Sequence, residues 1–351
     1  MDDVAGIVCQ ALTAAPTPSL TRRCWGRFWC GSRSLTQRLC AMRGRVKKPL
    51  RTGRRSCCRG HRSTTAGGTQ RAQHVARGVP YAVRAWDESE PVTSWEGLTF
   101  GEAWDTDAGR VVEIVLIGEA LTGDLPAALG GLTALTCLSL IGNLLTSVPV
   151  ELGRLTALEG LNLAANQLTG VPEELGGLTA LEVLSLSRNQ LTSVPAALGA
   201  LTALETLCLD DNQLTSVPAA LGGLTALETL QLSGNQLTIL PVALGGLTAL
   251  TVLDLRGNQL TSVPAALGGL ASPEKLHLGD NRLTRVPAEL GGLTSLTALH
   301  LGGNQLRSVP AELRGLTALD ELLLSGNRLM RVPAEWERGG ELEQNGCVII
   351  R

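Results

Sequence analysis

"LTALETLCLDDNQLTSVPAALGG", Leu201 to Gly223, returns almost unchanged along most of the 351-residue chain. Asparagines mark the period: Asn143, Asn166, Asn189, Asn212, Asn235, Asn258, Asn281, Asn304 and Asn327 follow one another at intervals of 23. A proline stands six residues after each, from Pro149 to Pro333. Self-similarity at one fixed period is the signature of stacked units, each too small to bury its own apolar face.

Within the copy, Leu204, Leu207 and Leu209 give L-x-x-L-x-L, whose end alternates with the period of a strand. That alternation sends Leu207 and Leu209 to a core and Thr206, Cys208 and Asp210 to an open face. The turn that follows leaves backbone groups without ladder partners. The carboxamide of Asn212, with two donors and an acceptor, is suited to satisfy them, so an asparagine ladder is expected. Leu214, Val217, Leu221 and Leu224 return inward, Pro218 opens the outer segment at a fixed φ, and the pair Gly222 and Gly223 lets the chain reverse. Stacked copies make a solenoid, and ten strands at roughly 4.8 Å give an inner face about 45 Å long.

The run Leu204 to Leu214 and its eight counterparts match L-x-x-L-x-L-x-x-N-x-L, and the chain here resembles the leucine-rich-repeat family. Its V-P-x-x-L variant with a 23-residue period looks like intracellular members such as the plant Ras-group-related proteins. A first copy of 24 residues from Val111, with Glu119 in the asparagine position, carries L-T-G-x-L-P and is similar to the plant extracellular subtype. The resemblance implies an α/β solenoid: a curved horseshoe with a parallel concave sheet of about ten strands, short helical or irregular convex segments, and terminal caps. It also implies a non-catalytic protein-interaction scaffold or, as a second reading, a regulatory or sensor subunit beside a GTPase or kinase.

Charge divides the chain. Residues 1–80 hold 16 Lys plus Arg against Asp2 and Asp3, a balance of +14, while residues 81–351 hold 14 against 30, a balance of −16. The tail is read as a basic extension without regular structure or an artefact of the gene start, with an organelle transit peptide or sequence-independent contact with nucleic acid as alternatives. It holds six of the nine cysteines, yet no C-x-x-C pair, and its His61 and His74 stand alone, so no zinc site is expected. Residues 81–110 with Trp86, Trp95, Trp104 and Phe100 are expected to cap the first coil. Residues 111–333 hold ten repeats, and residues 334–351 are expected to cap the last coil, with a short strand over Cys347 to Ile350. No run of 18 apolar residues exists, so no membrane span is expected. Unpaired Cys137, Cys208 and Cys347 favour a reducing compartment, hence the cytoplasm, or an organelle should the tail be a transit peptide.

The copies differ mainly on the open strand face. Its polar members, Arg188, Asp210, Asp211, Gln231, Asp254, Arg256, Lys275, His277, Asp280 and His300, form the expected partner-binding site for another protein. Asp254, His277 and His300 share one strand position in successive copies, and Glu159, Glu182, Glu205 and Glu228 share another. Both rows are read as solvated polar residues rather than metal sites. With no glycine-rich phosphate loop followed by lysine and no nucleophile with a base, the chain reads as a non-enzyme without cofactor or metal, acting as a monomer.

Overall fold

Val252, Leu253 and Asp254 pair in parallel with Thr229, Leu230 and Gln231 on one side and with Lys275, Leu276 and His277 on the other. The register steps by 23 residues at each junction, so equivalent residues of neighbouring copies stand side by side. The computed structural model describes residues 98–100, 110–330 and 348–350. The tail expected over residues 1–80, the cap tryptophans Trp86, Trp95, Trp104 and Trp336, and Cys347 lie outside the described residues.

Ten copy strands, from Val111–Val115 to Glu321–Leu323, run parallel in one sheet. Two further strands complete it to twelve: Leu98–Phe100 pairs antiparallel with Val111–Val115, and Val348–Ile350 pairs parallel with Glu321–Leu323. The first copy also differs along its outer side. Its Thr122–Asp124 pairs with Leu144–Ser147 in a separate two-stranded sheet.

The outer segments are five-residue 3-10 turns, each opened by a proline such as Pro218 at φ −67° and ψ 142°, whose missing N–H is no loss at that position. The first glycine after each turn's leucine has a purpose the sequence reading misses. Gly222 is not in the left-handed region; a Cβ there would run into the carbonyl of Ala243 on the next coil. Gly153, Gly176, Gly199, Gly245, Gly268 and Gly291 are hemmed in the same way. The glycine is required by close stacking of neighbouring turns rather than by chain reversal. The second position is looser in several coils and admits Arg154 and Ala200, although at Gly246 and Gly315 a Cβ would crowd the carbonyls of Gly222 and Gly291 on the preceding coil.

The core is a continuous column of leucine. Leu204, Leu207, Leu209, Leu214, Leu221 and Leu224 are fully buried and Val217 nearly so. Beside it runs the asparagine ladder. Asn212 Nδ2 donates to the carbonyls of Leu186 at 3.0 Å, Leu209 at 3.1 Å and Asp210 at 3.2 Å, and its Oδ1 accepts from the amide of Leu191 at 3.0 Å. The side chain thus stitches two coils while closing its own turn. Asn143 makes the equivalent bonds to the first copy, accepting from Glu119 and Leu121 and donating to Leu116. A buried carboxamide left without such partners would cost about 1–3 kcal/mol.

Candidate functional site

Because the register steps by 23, the face is a set of rows. One reads Ser139, Asn162, Ser185, Cys208, Gln231, Asp254, His277, His300 and Leu323. A second, one residue beyond the next leucine, holds Ser187, Asp210, Ser233 and Arg256. A third lies just before each asparagine, where the chain turns through the left-handed region: Ala165, Arg188, Asp211 and Asp280 have φ of 55°, 55°, 53° and 54°, and the other copies use glycine there.

Asp210 does not stand on an open face. It is only 8% exposed and accepts a 2.5 Å hydrogen bond from Ser187 Oγ on the preceding coil. Burial outweighs that bond and pushes the Asp210 carboxyl above its ordinary value. Thr206, Cys208, Val183, Ser185 and Ser187 are buried as well. The reason is lateral: strands of three residues about 4.8 Å apart bring each short side chain against its equivalents on both sides.

Asp254 is likewise buried and is claimed by Arg256, whose Nη2 donates at 2.6 Å and Nε at 3.0 Å to its carboxylate. This pairing holds the guanidinium pKa above its usual range. Arg188 Nε lies 3.4 Å from Asp211 Oδ2 with both side chains substantially exposed. Lys275 and Asp280 are exposed, and Gln231 is half-buried between Cys208 and Asp254.

The row of Asp254, His277 and His300 is brought together as the spacing requires, but the two rings meet each other. Nδ1 of His277 and Nδ1 of His300 are 2.6 Å apart, with centroids at 4.3 Å and planes at 70°. One nitrogen must donate and the other accept, so the contact holds a single proton. Burial, then the neighbouring His300, push the His277 imidazole down to about 4 against the pull of Asp254. His300 Nε2 lies 3.3 Å from Glu321 Oε2, without the alignment of a hydrogen bond. Among the described residues, no three metal-ligating side chains gather at one point.

The sequence reading missed two partners, Ser187 for Asp210 and Glu321 for His300. The first was within reach of arithmetic, because 187 and 210 differ by one period. The second is diagonal, from one row to another, and the period does not point to it.

The described part is therefore a stack of closely similar coils with one divergent face: a repeat solenoid whose chemistry lies in a parallel sheet. Family profiles described as "Leucine rich repeat" match residues 204–260 and 272–329, and "Leucine Rich repeats (2 copies)" match residues 156–200 and 179–222. The chain is a leucine-rich-repeat protein. No curated protein matches it significantly. Among solved structures it is similar to the leucine-rich-repeat ectodomain of the plant membrane receptor kinase GASSHO1/SCHENGEN3 from Arabidopsis thaliana, in complex with CASPARIAN STRIP INTEGRITY FACTOR 2. That match has 37% identity and a TM-score of 0.65, and covers 70% of this chain and 30% of that one. A plant ice-binding protein matches at 27% identity and a TM-score of 0.61, over 78% of this chain and 90% of that one. The Arabidopsis receptor kinase HAESA, in complex with the peptide hormone IDA and the co-receptor SERK1, matches at 29% and 0.56, over 70% of this chain and 47% of that one. The chain thus spans less than half the length of the two receptor chains it matches. No helix among the described residues is long and apolar enough to cross a membrane.

Proposed function

We propose that the chain is a non-catalytic module that binds another protein on the sheet face of its solenoid. One observation carries this reading: the coils repeat their leucines, asparagines, prolines and corner glycines, while the sheet face alternates small, acidic, basic and imidazole side chains from copy to copy. Exposed charge on that face includes the Arg188 and Asp211 pair and, on later coils, Arg256, Lys275, Asp280 and Glu321, and mixed charge there steers a complementary partner. Two similar structures hold their own ligands, an integrity factor in one and a peptide hormone with a co-receptor in the other, which supports a binding role for this chain too.

The thiols support the non-catalytic reading. The Cys137 thiol is pushed up to about 11 by burial and by Glu113 and Glu159, so it stays protonated at neutral pH, and Cys208 is buried. Neither is in a disulfide among the described residues, which suits a reducing, cytoplasmic setting.

Affinity capture with the full chain tests the proposal. A partner retained by the native chain and by Glu173→Lys with Glu174→Lys on the outer turns, but lost with Lys275→Glu and Asp280→Arg, supports the sheet face. A partner indifferent to the sheet-face changes overturns it. A kinase or GTPase as the specific partner directs the reading to a regulatory subunit.

A further inference from the structure

The segment between each asparagine and the next proline turns three positions outward, and through the middle of the chain they are uncharged: exposed Gln213, Thr215 and Ser216 in one copy, half-buried Gln259 and exposed Thr261 and Ser262 in another. Among the described residues of the last three copies, four of these positions are arginine. Arg282 and Arg328 replace the glutamine, Arg307 the threonine and Arg285 the serine. All four are exposed, and none has a carboxylate within ion-pair distance among the described residues. The stacking bonds of this segment, from the Arg282 amide to the Leu260 carbonyl and from the Arg328 amide to that of Leu306, keep the copies in line. Arg282 and Arg328 occupy the same position two coils apart, about 10 Å, with Arg285 on the coil of Arg282 and Arg307 on the one coil between.

The opposite edge of the sheet, where the chain enters each strand, has the contrary sign. Glu159, Glu182, Glu205, Glu228, Glu274 and Asp320 stand there in register. Asp280, on the corner adjoining the arginines, directs its carboxylate over Gly303 of the next coil. The arginine cluster is therefore local within a body whose balance over residues 81–351 is −16.

We infer that Arg282, Arg285, Arg307 and Arg328 form a second docking edge, distinct from the sheet face, for a short acidic segment of a protein partner. Four guanidiniums over three coils match about four to five extended residues, at 3.3 Å each. A long polyanion such as nucleic acid is disfavoured, because it extends past the arginines into the field of an acidic body. A short acidic peptide ends where the arginines end.

The probe is a fluorescein-labelled hexaglutamate peptide, titrated into the full chain and followed by anisotropy. The variant Arg282→Gln, Arg285→Ser, Arg307→Thr and Arg328→Gln installs the side chains other copies already carry, so its far-UV spectrum and melting curve should match the native ones. The expected result is saturable binding that weakens about tenfold or more in this variant and with added salt, while Lys275→Gln on the sheet face leaves it unchanged. No binding, or equal binding by the variant, overturns the inference. So does tighter binding of a single-stranded DNA with the same number of charges. Low-salt self-association abolished by the same substitutions also overturns it, assigning the edge to a second copy of this chain.

Discussion

Ser187 with Asp210, and His277 with His300, are the same kind of contact made twice: polar side chains one period apart, on adjacent coils, at 2.5 Å and 2.6 Å. Burial disfavours the charged form in both. Its sign differs, because the aspartate is charged without its proton and the imidazole with it. The Asp210 carboxyl is pushed up and the His277 imidazole down. One sheet face thus contains a sealed site relieved by acid and a half-open site penalised by it. The leucine frame beneath is common to both, so chemistry on this face is set by a few side chains laid over an indifferent scaffold.

The largest expected effect tests that indifference. Leu209 and Leu278 are fully buried under the two regions. Leu209→Ala and Leu278→Ala should each cost about 2–5 kcal/mol in urea denaturation, through lost burial and the cavity left behind. If one proves near-neutral while the other is severe, the frame is not shared and the comparison breaks.

One coil departs from the frame. Pro273 takes the place of a core leucine and is buried, but it has no N–H, so the bond that Leu250 donates to the Leu247 carbonyl and Leu296 to that of Leu293 has no counterpart here. Leu270 responds by adopting φ −61° and ψ 134°, where its equivalent Leu247 has φ −76° and ψ 76°. Pro273→Leu should restore that bond, stabilise the coil by about 1 kcal/mol and slow hydrogen exchange at Leu276 and Leu278. Unchanged exchange there would show that the proline leaves its coil no weaker than its neighbours.

The acid response sharpens the comparison directly. The Asp210 carboxyl is raised from 3.8 in the fold, so the fold holds the proton more tightly than the unfolded chain does; its penalty is full at neutral pH and disappears as pH falls through the folded value to 3.8. Asp210→Asn, which keeps an acceptor for Ser187, should therefore be more stable than the native chain at pH 7, with the gain shrinking toward pH 4. His277 has the opposite sign: no penalty exists above 6.5, and stability is lost as pH falls from 6.5 toward about 4. His277→Gln should flatten that decline. Urea midpoints from pH 7 to pH 4 check both, and parallel curves for the two variants would sink the assigned signs.

The frame was legible because its causes are periodic. A leucine two residues from the last must share its face, and an asparagine at a fixed step meets the same turn in every copy. The lateral surroundings were less legible. Asp210 is buried because Ser187 and the flanking strands close over it, which one copy read alone does not disclose. The role of Gly222 was misread for a similar cause: its torsions are ordinary, and what excludes a side chain is Ala243 on the next coil. The diagonal approach of His300 to Glu321 follows from side-chain direction, which a spacing rule leaves open.

The smallest effect concerns the left-handed position before each asparagine, where the halves differ in backbone strain. After Gly142 at 71°, three successive earlier copies place Ala165, Arg188 and Asp211 there at 55°, 55° and 53°, whereas later ones have Gly257 at 65°, Asp280 at 54° and Gly303 at 67°. An alanine in this region crowds its Cβ against the backbone, and aspartate tolerates it better through local hydrogen bonding. Ala165→Gly should relieve that crowding, offset in part by the freedom glycine gains in the unfolded chain, for a net gain of about 0.5 kcal/mol. The reverse change, Gly257→Ala, should lose about 1 kcal/mol from torsion alone, because a Cβ there meets only Gly234 backbone at 3.5 Å. Gly234→Ala must cost more: beyond the same torsion, its Cβ would collide with the Asp211 carboxylate. Adding Asp211→Gly to Gly234→Ala should bring its cost back to that of Gly257→Ala, measured against the Asp211→Gly chain. If the cost of Gly234→Ala is the same with and without Asp211, the carboxylate yields freely and torsion is the whole constraint on this row.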